Sequence, residues 1–105
     1  MTVEDIEAFV AEIDPEARHY FFGKHGSDFT TWAETELLFL EADDTAANEG
    51  WKAAIIRCTT QEYDPIAASI KHALLNDPRT TLTNYSVGCN PETGYIMHAF
   101  KFEAM

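Results

Sequence analysis

The last quarter of the chain encodes a tight turn between two strands, in the run Asn90-Pro91-Glu92-Thr93-Gly94-Tyr95-Ile96-Met97-His98. Pro91 has its φ fixed near the value that the second position of a type I turn requires, and the side chain of Asn90 can bond the backbone two residues further on. Gly94 stands where such a loop needs a residue with positive φ to rejoin the strand. The run therefore predicts a β-hairpin with a loop of about four or five residues.

The strand that leaves this turn is apolar on both of its faces. Successive side chains of a strand point to opposite faces, so alternate residues share a face. On the entering strand one face carries Tyr85, Val87 and Cys89. On the leaving strand one face carries Ile96, His98, Phe100 and Phe102, and the other carries Tyr95, Met97 and Ala99. We expect the leaving strand to be central in a sheet or covered on both sides.

Two amphipathic helices are predicted from capping residues and apolar spacing. Thr2 and Asp5 resemble a capping box before the first helix, and Asp14-Pro15 ends it. Its apolar stripe consists of Val3, Ile6, Phe9, Val10 and Ile13. For the second helix, Asp64-Pro65 supplies an N-cap and a first helical residue, and Asn76-Asp77-Pro78 ends it. Its buried stripe consists of Ile66, Ile70, Ala73 and Leu74.

Three further strands precede or separate these elements. They are a short aromatic strand Arg18–Phe22, a long strand Phe29–Glu41, and Trp51–Thr60 after a polar loop at 43–50. The balance of polar and apolar residues changes along the long strand, which indicates that it extends beyond the sheet at one end. The order is α-β-β-β-α-β-β, and short loops favour antiparallel neighbours. We expect one α+β domain over residues 1–105, with an antiparallel sheet of about four to five strands and two helices packed on one face.

Composition restricts the class of protein and of partner. The chain has 105 residues, a hydrophobic fraction of 46% and a net charge of −11, so it can bury a core although it is acidic. Its seven Lys and Arg are scattered singly and form no basic stripe, which argues against direct binding of nucleic acid. The acidic N-terminus lacks the features of a signal peptide, and no apolar run is long enough for a membrane span. We expect a soluble protein that is made in a cytoplasm.

No motif indicates an enzyme or a bound cofactor. The chain has no Gly-x-Ser-x-Gly elbow and no phosphate-binding glycine loop. Glu34 and Glu36 share a strand face by simple alternation and are a candidate acid and base, although such a pair more often forms a solvated face or protects a sheet edge. Cys58, Cys89 and His98 are a candidate metal site only if the sheet brings them together, and the favoured interpretation is two buried thiols and a hydrogen-bonded histidine.

Four stretches of the sequence are similar to a known family. They are His19–Lys24 leading to Thr31–Glu34; Trp51–Thr60; Tyr63–Asn76; and Asn84–Val87 followed by Glu92–His98. Together with the order of elements, they resemble the tail-terminator or tail-completion proteins of long-tailed phages and prophages. The resemblance implies a ring, usually a hexamer, that caps the tail tube and docks on the head-completion protein in the virion. It implies that DNA passes through without specific binding, and it implies no catalysis, cofactor or membrane.

Two groups of residues follow as candidate sites for that role. An acidic lumen would not bind the phosphates of passing DNA, and the residues that cluster on the long strand and its loop are Glu34, Glu36, Glu41, Asp43 and Asp44. The second face of the final strand is the candidate subunit interface, with Tyr95, Met97 and Ala99. The alternative function is an acidic inhibitor or DNA mimic, encoded by a phage, that binds a basic host protein.

Overall fold

A computed structural model describes residues 1–20, 28–42 and 47–105 of the chain. Within these ranges the elements are α1 (Val3–Ile13), β1 (Arg18–His19), β2 (Phe29–Ala42), β3 (Ala47–Thr59), α2 (Pro65–Asn76), β4 (Thr80–Cys89) and β5 (Ile96–Ala104). The predicted α+β class and the order α-β-β-β-α-β-β are therefore confirmed.

Both helices begin as the capping residues predict. The hydroxyl of Thr2 accepts from the backbone N–H of Asp5, and the carboxylate of Asp5 accepts from that of Thr2. The carboxylate of Asp64 accepts from the backbone N–H of Ala67 at the start of α2, where Pro65 is the first helical residue. These bonds satisfy donors that have no partner inside a helix. In the described part of the chain, no helix has the length and apolar character to cross a membrane.

The five strands form one sheet in the order β1-β2-β3-β5-β4. All neighbours are antiparallel except β1, which runs parallel to β2 over Arg18 and His19. The expected antiparallel sheet is thus confirmed for β2 to β5, whereas β1 is parallel to its neighbour and the strand expected over Arg18–Phe22 ends at His19. Tyr20 follows β1 with a φ of 54°, a left-handed value that ends an extended strand. Phe21 and Phe22 lie outside the described residues.

The β4–β5 hairpin has the predicted turn. The backbone N–H of Asn90 donates to the carbonyl of Tyr95 at 2.9 Å, and the N–H of Gly94 donates to the carbonyl of Asn90 at 2.8 Å. The side chain of Asn90 accepts from the N–H of Glu92 at 3.0 Å, and Gly94 has a φ of 74°. As expected, β5 is an inner strand, between β3 and β4.

The core lies between the two helices and one face of the sheet, which we call the core face. Its largest fully buried side chains include Phe100 and Phe102 of β5, Ile55 of β3, Ile6 of α1 and Ile70 of α2. The alternate residues of the central strands lie on the opposite, helix-free face, and they include Lys52, Ala54 and Ile56 of β3 and Met97, Ala99 and Lys101 of β5. The periodicity predicted the buried residues of α1 and β5, and in α2 it predicted Ile70 and Leu74 but not Ala67, while Ile66 and Ala73 are half-buried.

β2 and β3 continue beyond the rest of the sheet as a two-stranded arm. The pairing of β3 with β5 ends at Trp51, whereas the pairing of β2 with β3 continues to Ala42 and Ala47. We call this extension, together with Glu36 and Leu37 at its base, the β2–β3 arm (residues 36–42 and 47–50). The arm contributes to an elongated molecule of 53 × 24 × 21 Å. The predicted extension of the long strand is confirmed, but β3 begins at Ala47, so Asn48 to Gly50 are strand residues and not loop residues.

Candidate functional site

The candidate interface lies on the helix-free face. Met97 stands between Cys58 of β3 and Gly88 of β4, and its side chain is 48% exposed. The next residue of β5 on this face, Ala99, stands between Ile56 and Ser86. We call these six residues, none of which carries a charge, the Met97 patch: Ile56, Cys58, Ser86, Gly88, Met97 and Ala99. Tyr95 is half-buried immediately before β5, so the three predicted residues adjoin one another, and their contact with another subunit stays a prediction.

A shallow groove of about 410 Å³ continues this face toward the arm. It lies between two β-bulges, one on each side of the central strand pair. Thr35 is the extra residue of β2 and donates its hydroxyl to the carbonyl of Lys52 at 3.1 Å. Thr83 is the extra residue of β4 and donates in the same way to the carbonyl of Lys101 at 3.1 Å. The two bulges accommodate an unpaired residue in each flanking strand at the same level of the sheet.

The bulge at Thr35 separates Glu34 from Glu36, which were expected to share a face. Glu34 is opposite Ala53 and Glu36 is opposite Lys52, so the two carboxylates lie on opposite faces of the sheet. The interpretation of this pair as an acid and a base on one face is therefore wrong. A single inserted residue reverses the alternation, and the sequence of one strand does not reveal it.

Glu34 is held in a small polar cluster at the edge of β2. Nε2 of His19 lies 2.6 Å from one carboxylate oxygen, and the hydroxyl of Tyr20 donates to the other. The His19 ring stacks on Trp32, with centroids 4.0 Å apart and planes at 11°. Burial acts to raise the pKa of Glu34, but the hydrogen bonds from Tyr20 and His19 outweigh it and lower that pKa. The same bond to Glu34 raises the pKa of Tyr20. This carboxylate is an ionised anchor for β1.

The other predicted lumen residues have different surroundings. Glu36 lies 3.4 Å from Nζ of Lys52, with 62% of its side chain exposed. Glu41 is exposed near the end of the arm, opposite Asn48. Asp43 and Asp44 lie outside the described residues. Glu36 and Glu41 thus extend along the helix-free face of the arm, while Glu34 lies on the core face.

The cysteines and His98 do not meet in the fold. Cys58 is buried on the helix-free face, and burial raises the pKa of its thiol. Cys89 is exposed, so the expectation of two buried thiols is wrong for this residue, which lies at the outer end of an edge strand. His98 lies on the core face and bonds the hydroxyl of Tyr85 through Nδ1 at 2.8 Å, as the hydrogen-bonded interpretation expected. Among the described residues, no group of three His, Cys, Asp or Glu side chains is placed to hold a metal ion.

A buried ion pair, which no pattern in the sequence predicted, joins the sheet to α2. Nε of Arg57 donates to Asp64 at 2.9 Å, and the side chains are 7% and 2% exposed. The guanidinium also donates to the hydroxyl of Thr30 at 3.3 Å and lies 3.9 Å from Asp28. Asp28, Thr30 and Arg57 line a cleft of about 690 Å³ between the end of α1 and the start of α2. The sequence signal for this ion pair is Arg57 itself, a lone arginine two residues after Ile55 and therefore on the same, buried face of β3.

Comparisons with known proteins show the fold. No protein-family model matches the sequence, and no curated protein matches it. Among solved structures, the chain is similar to one in the virion of a native gene transfer agent particle, with a TM-score of 0.54 and 10% sequence identity. The match covers 90% of this chain and 81% of that chain. At this identity the likeness establishes a shared fold for nearly the whole domain.

Proposed function

We propose that the chain is a structural protein of a phage-like particle. We propose further that it forms the ring that caps the tail tube and joins it to the head-completion protein. The observation that carries this proposal is the similarity of fold, over 90% of the chain, to a chain of a gene transfer agent virion. The resemblance of the four sequence stretches to tail-terminator proteins leads independently to the same kind of particle.

The distribution of charge supports a role in assembly. A molecule with a net charge of −11 keeps the whole Met97 patch free of charged residues. Exposed uncharged surface on an otherwise charged protein is typical of a contact with another subunit. The candidate interface at Tyr95, Met97 and Ala99 is therefore where we propose that one subunit contacts the next. A contact that buries Met97 would remove an exposed apolar side chain from water, which stabilises the assembly.

The charges of the arm support an acidic passage for DNA through the proposed ring. Glu36 and Glu41 occupy its helix-free face, and Glu41 forms no ion pair within the described residues. Carboxylates that line a pore repel phosphates, so DNA passes without being retained. We propose that these two residues face the lumen of the ring. Glu34, which is bonded to His19 and Tyr20, is the weakest member of the predicted set.

The test is the state of association of the purified chain and of two matched variants. Met97 and Met105 are both 48% exposed, but only Met97 lies in the predicted interface. Met97→Glu should weaken assembly by about 100-fold or more, because an unpaired carboxylate would be buried in the contact. Met105→Glu should leave assembly unchanged. Native mass spectrometry and light scattering give the stoichiometry, and electron microscopy shows whether the particles are rings.

Three outcomes would contradict parts of the proposal. A chain that stays monomeric at every accessible concentration would contradict the ring. Loss of the folded state in Met97→Glu, seen by circular dichroism, would show that this face is part of the core. A stable complex of the monomer with a basic DNA-binding protein would favour the inhibitor instead. Position at the head–tail junction is tested separately, by locating the subunits in intact particles.

A further inference from the structure

β4 forms an outer edge of the sheet and carries no charged residue. Its sequence is Thr-Thr-Leu-Thr-Asn-Tyr-Ser-Val-Gly-Cys, in a chain of which 24% is charged. Every residue from Thr83 to Cys89 is exposed, and no strand in the described ranges pairs with its outer side. Soluble proteins usually protect such an edge with charges, proline or a covering element, since a free edge accepts another strand. After the bulge at Thr83, the next six residues, Asn84 to Cys89, pair with β5 without a further register shift.

The hydrogen bonds at the turn determine which backbone groups of β4 point away from β5. Residues opposite one another in an antiparallel pair alternate between bonded and non-bonded pairs. Asn90 and Tyr95 are a bonded pair, so Gly88, Ser86 and Asn84 bond β5 in turn. The backbone N–H and C=O groups of Tyr85, Val87 and Cys89 therefore point away from β5. These three residues present a ladder of donors and acceptors to an incoming strand.

Two lysines without a carboxylate partner flank this edge. Nζ of Lys71 lies over the ring of Tyr85, 5.8 Å from its centroid, on the core face. Lys101 is opposite Asn84 on the helix-free face. Neither forms an ion pair within the described part of the chain, in contrast to Lys52, Arg57 and Arg79. The edge is therefore uncharged itself and positively charged on both sides, which suits an acidic strand.

The structure assigns this edge to a second copy of the same chain, whose β2 adds to β4 in an antiparallel pair. This inference deepens the proposed function and depends on the ring, since it names a second contact between neighbouring subunits. Among the described residues, β1 pairs with the outer edge of β2 only at Thr31 and Trp32, and no strand in the described ranges lies beyond Ala33–Ala42. β2 and β4 run in opposite directions and lie on opposite sides of one sheet. If a second copy is placed beside β4 in the plane of the sheet and is not turned over, its β2 runs antiparallel to β4. The helices of both copies then lie on the same side of the extended sheet.

The side chains of the two edges are complementary on both faces. On the core face β2 presents Leu37 and Leu40, which are 44% and 57% exposed, and β4 presents Tyr85 and Val87, which are 38% and 54% exposed. On the helix-free face β2 presents Glu36 and Glu41, and β4 is flanked by Lys101. Apolar residues thus meet on the core face, and the carboxylates of β2 meet Lys101 on the helix-free face, where β2 also presents Phe39.

The first experiment removes one outward donor from β4. Val87→Pro deletes an N–H that does not bond β5 and puts a ring in the way of the incoming strand. Its matched control, Val87→Thr, keeps the branched shape and the N–H. We expect Val87→Pro to raise the dissociation constant of the assembly by about tenfold or more, and Val87→Thr to change it by less than about twofold. Circular dichroism and analytical ultracentrifugation report fold and assembly for each variant.

A charge exchange provides the second experiment, which does not depend on proline being tolerated. Lys101→Glu and Glu41→Lys should each weaken assembly by roughly two- to fivefold at low salt, and the double variant should recover most of the loss. Two single losses that simply add in the double variant would overturn the pairing of these edges. Assembly of Val87→Pro equal to that of Val87→Thr would overturn it too, while the ring through the Met97 patch would survive. A wild-type chain that stays monomeric would overturn the ring and this contact together.

Discussion

Replacing Asp64 with alanine is expected to destabilise the domain far more than the loss of one surface charge. Asp64 makes two stabilising contacts in the structure. It caps α2 by accepting from the N–H of Ala67 at 3.0 Å, and it accepts from Nε of Arg57 at 2.9 Å. The substitution removes both bonds and leaves a buried guanidinium that is 7% exposed.

The expected magnitude follows from these two contacts. Loss of an N-cap costs about 1 kcal/mol. Loss of one partner of a buried ion pair costs about 3–5 kcal/mol, because the remaining charge stays desolvated. Thr30 at 3.3 Å and Asp28 at 3.9 Å remain near Arg57 and offset part of this cost. We therefore expect a total of about 4 kcal/mol, a large share of the roughly 5–15 kcal/mol that stabilises a typical domain.

The measurement is urea unfolding of the variant at pH 7, with Asp77→Ala as its control. Asp77 forms the same kind of pair with Arg79 at 2.9 Å, but Arg79 is 51% exposed. An exposed pair contributes about 1 kcal/mol or less, so the control should lose much less stability. Arg57→Met combined with Asp64→Leu should recover much of the loss, since no unpaired charge remains. Equal losses for Asp64→Ala and Asp77→Ala would refute the reasoning that burial determines the cost.

Two further predictions concern acid stability and the arm. The pKa of Asp5 is lowered by its bonds with Thr2, that of Asp77 by its bonds with Arg79, and that of Asp64 because its hydrogen bonds outweigh burial. A carboxyl whose pKa is lower in the folded state stabilises the fold above its unfolded pKa, so the free energy of unfolding should fall as the pH drops below about 4. Thermal unfolding between pH 7 and pH 2.5 tests this, and a stability that rises over that range would contradict it. In the arm, a Cβ at Gly50 would lie 2.8 Å from Cδ1 of Phe39 and closer still to Cε1, so Gly50→Ala should cost about 1–3 kcal/mol. Gly88→Ala meets no atom within 4 Å and serves as the control; equal unfolding midpoints for the two variants would contradict the contact with Phe39.

Local signals were sufficient to predict the helices and the hairpin. Asp64-Pro65 fixes the start of α2, and the run Asn90–Gly94 fixes the turn, because each depends on residues that are near one another in the sequence. The apolar side chains of β5 point alternately to the core face and to the helix-free face, which its strict period of two made predictable. The position of the candidate interface on the helix-free face follows from the same period.

Features that depend on a distant strand were not predictable in the same way. Whether Glu34 and Glu36 share a face is decided by the bulge at Thr35, which exists only in the pairing with β3. The parallel direction of β1 depends on where the chain meets β2 after α1. Likewise, the exposure of Cys89 depends on β4 being an outer strand, and nothing in its immediate sequence distinguishes it from the buried Cys58.

The bulge at Thr35 also determines what the arm presents to a neighbour. If β2 kept its alternation after Trp32 and Glu34, Glu36 would follow them on the core face and Leu37 would lie on the helix-free face. The extra residue exchanges the two, so that Leu37 joins the core face and Glu36 is placed beside Lys52. A second register shift, between Leu37 and Phe39, then keeps Leu40 on the core face and Glu41 on the helix-free face, where Phe39 also lies. Two inserted residues therefore place Leu37 and Leu40 on one face of the arm and Glu36 and Glu41 on the other, as the proposed contact with Tyr85 and Lys101 requires.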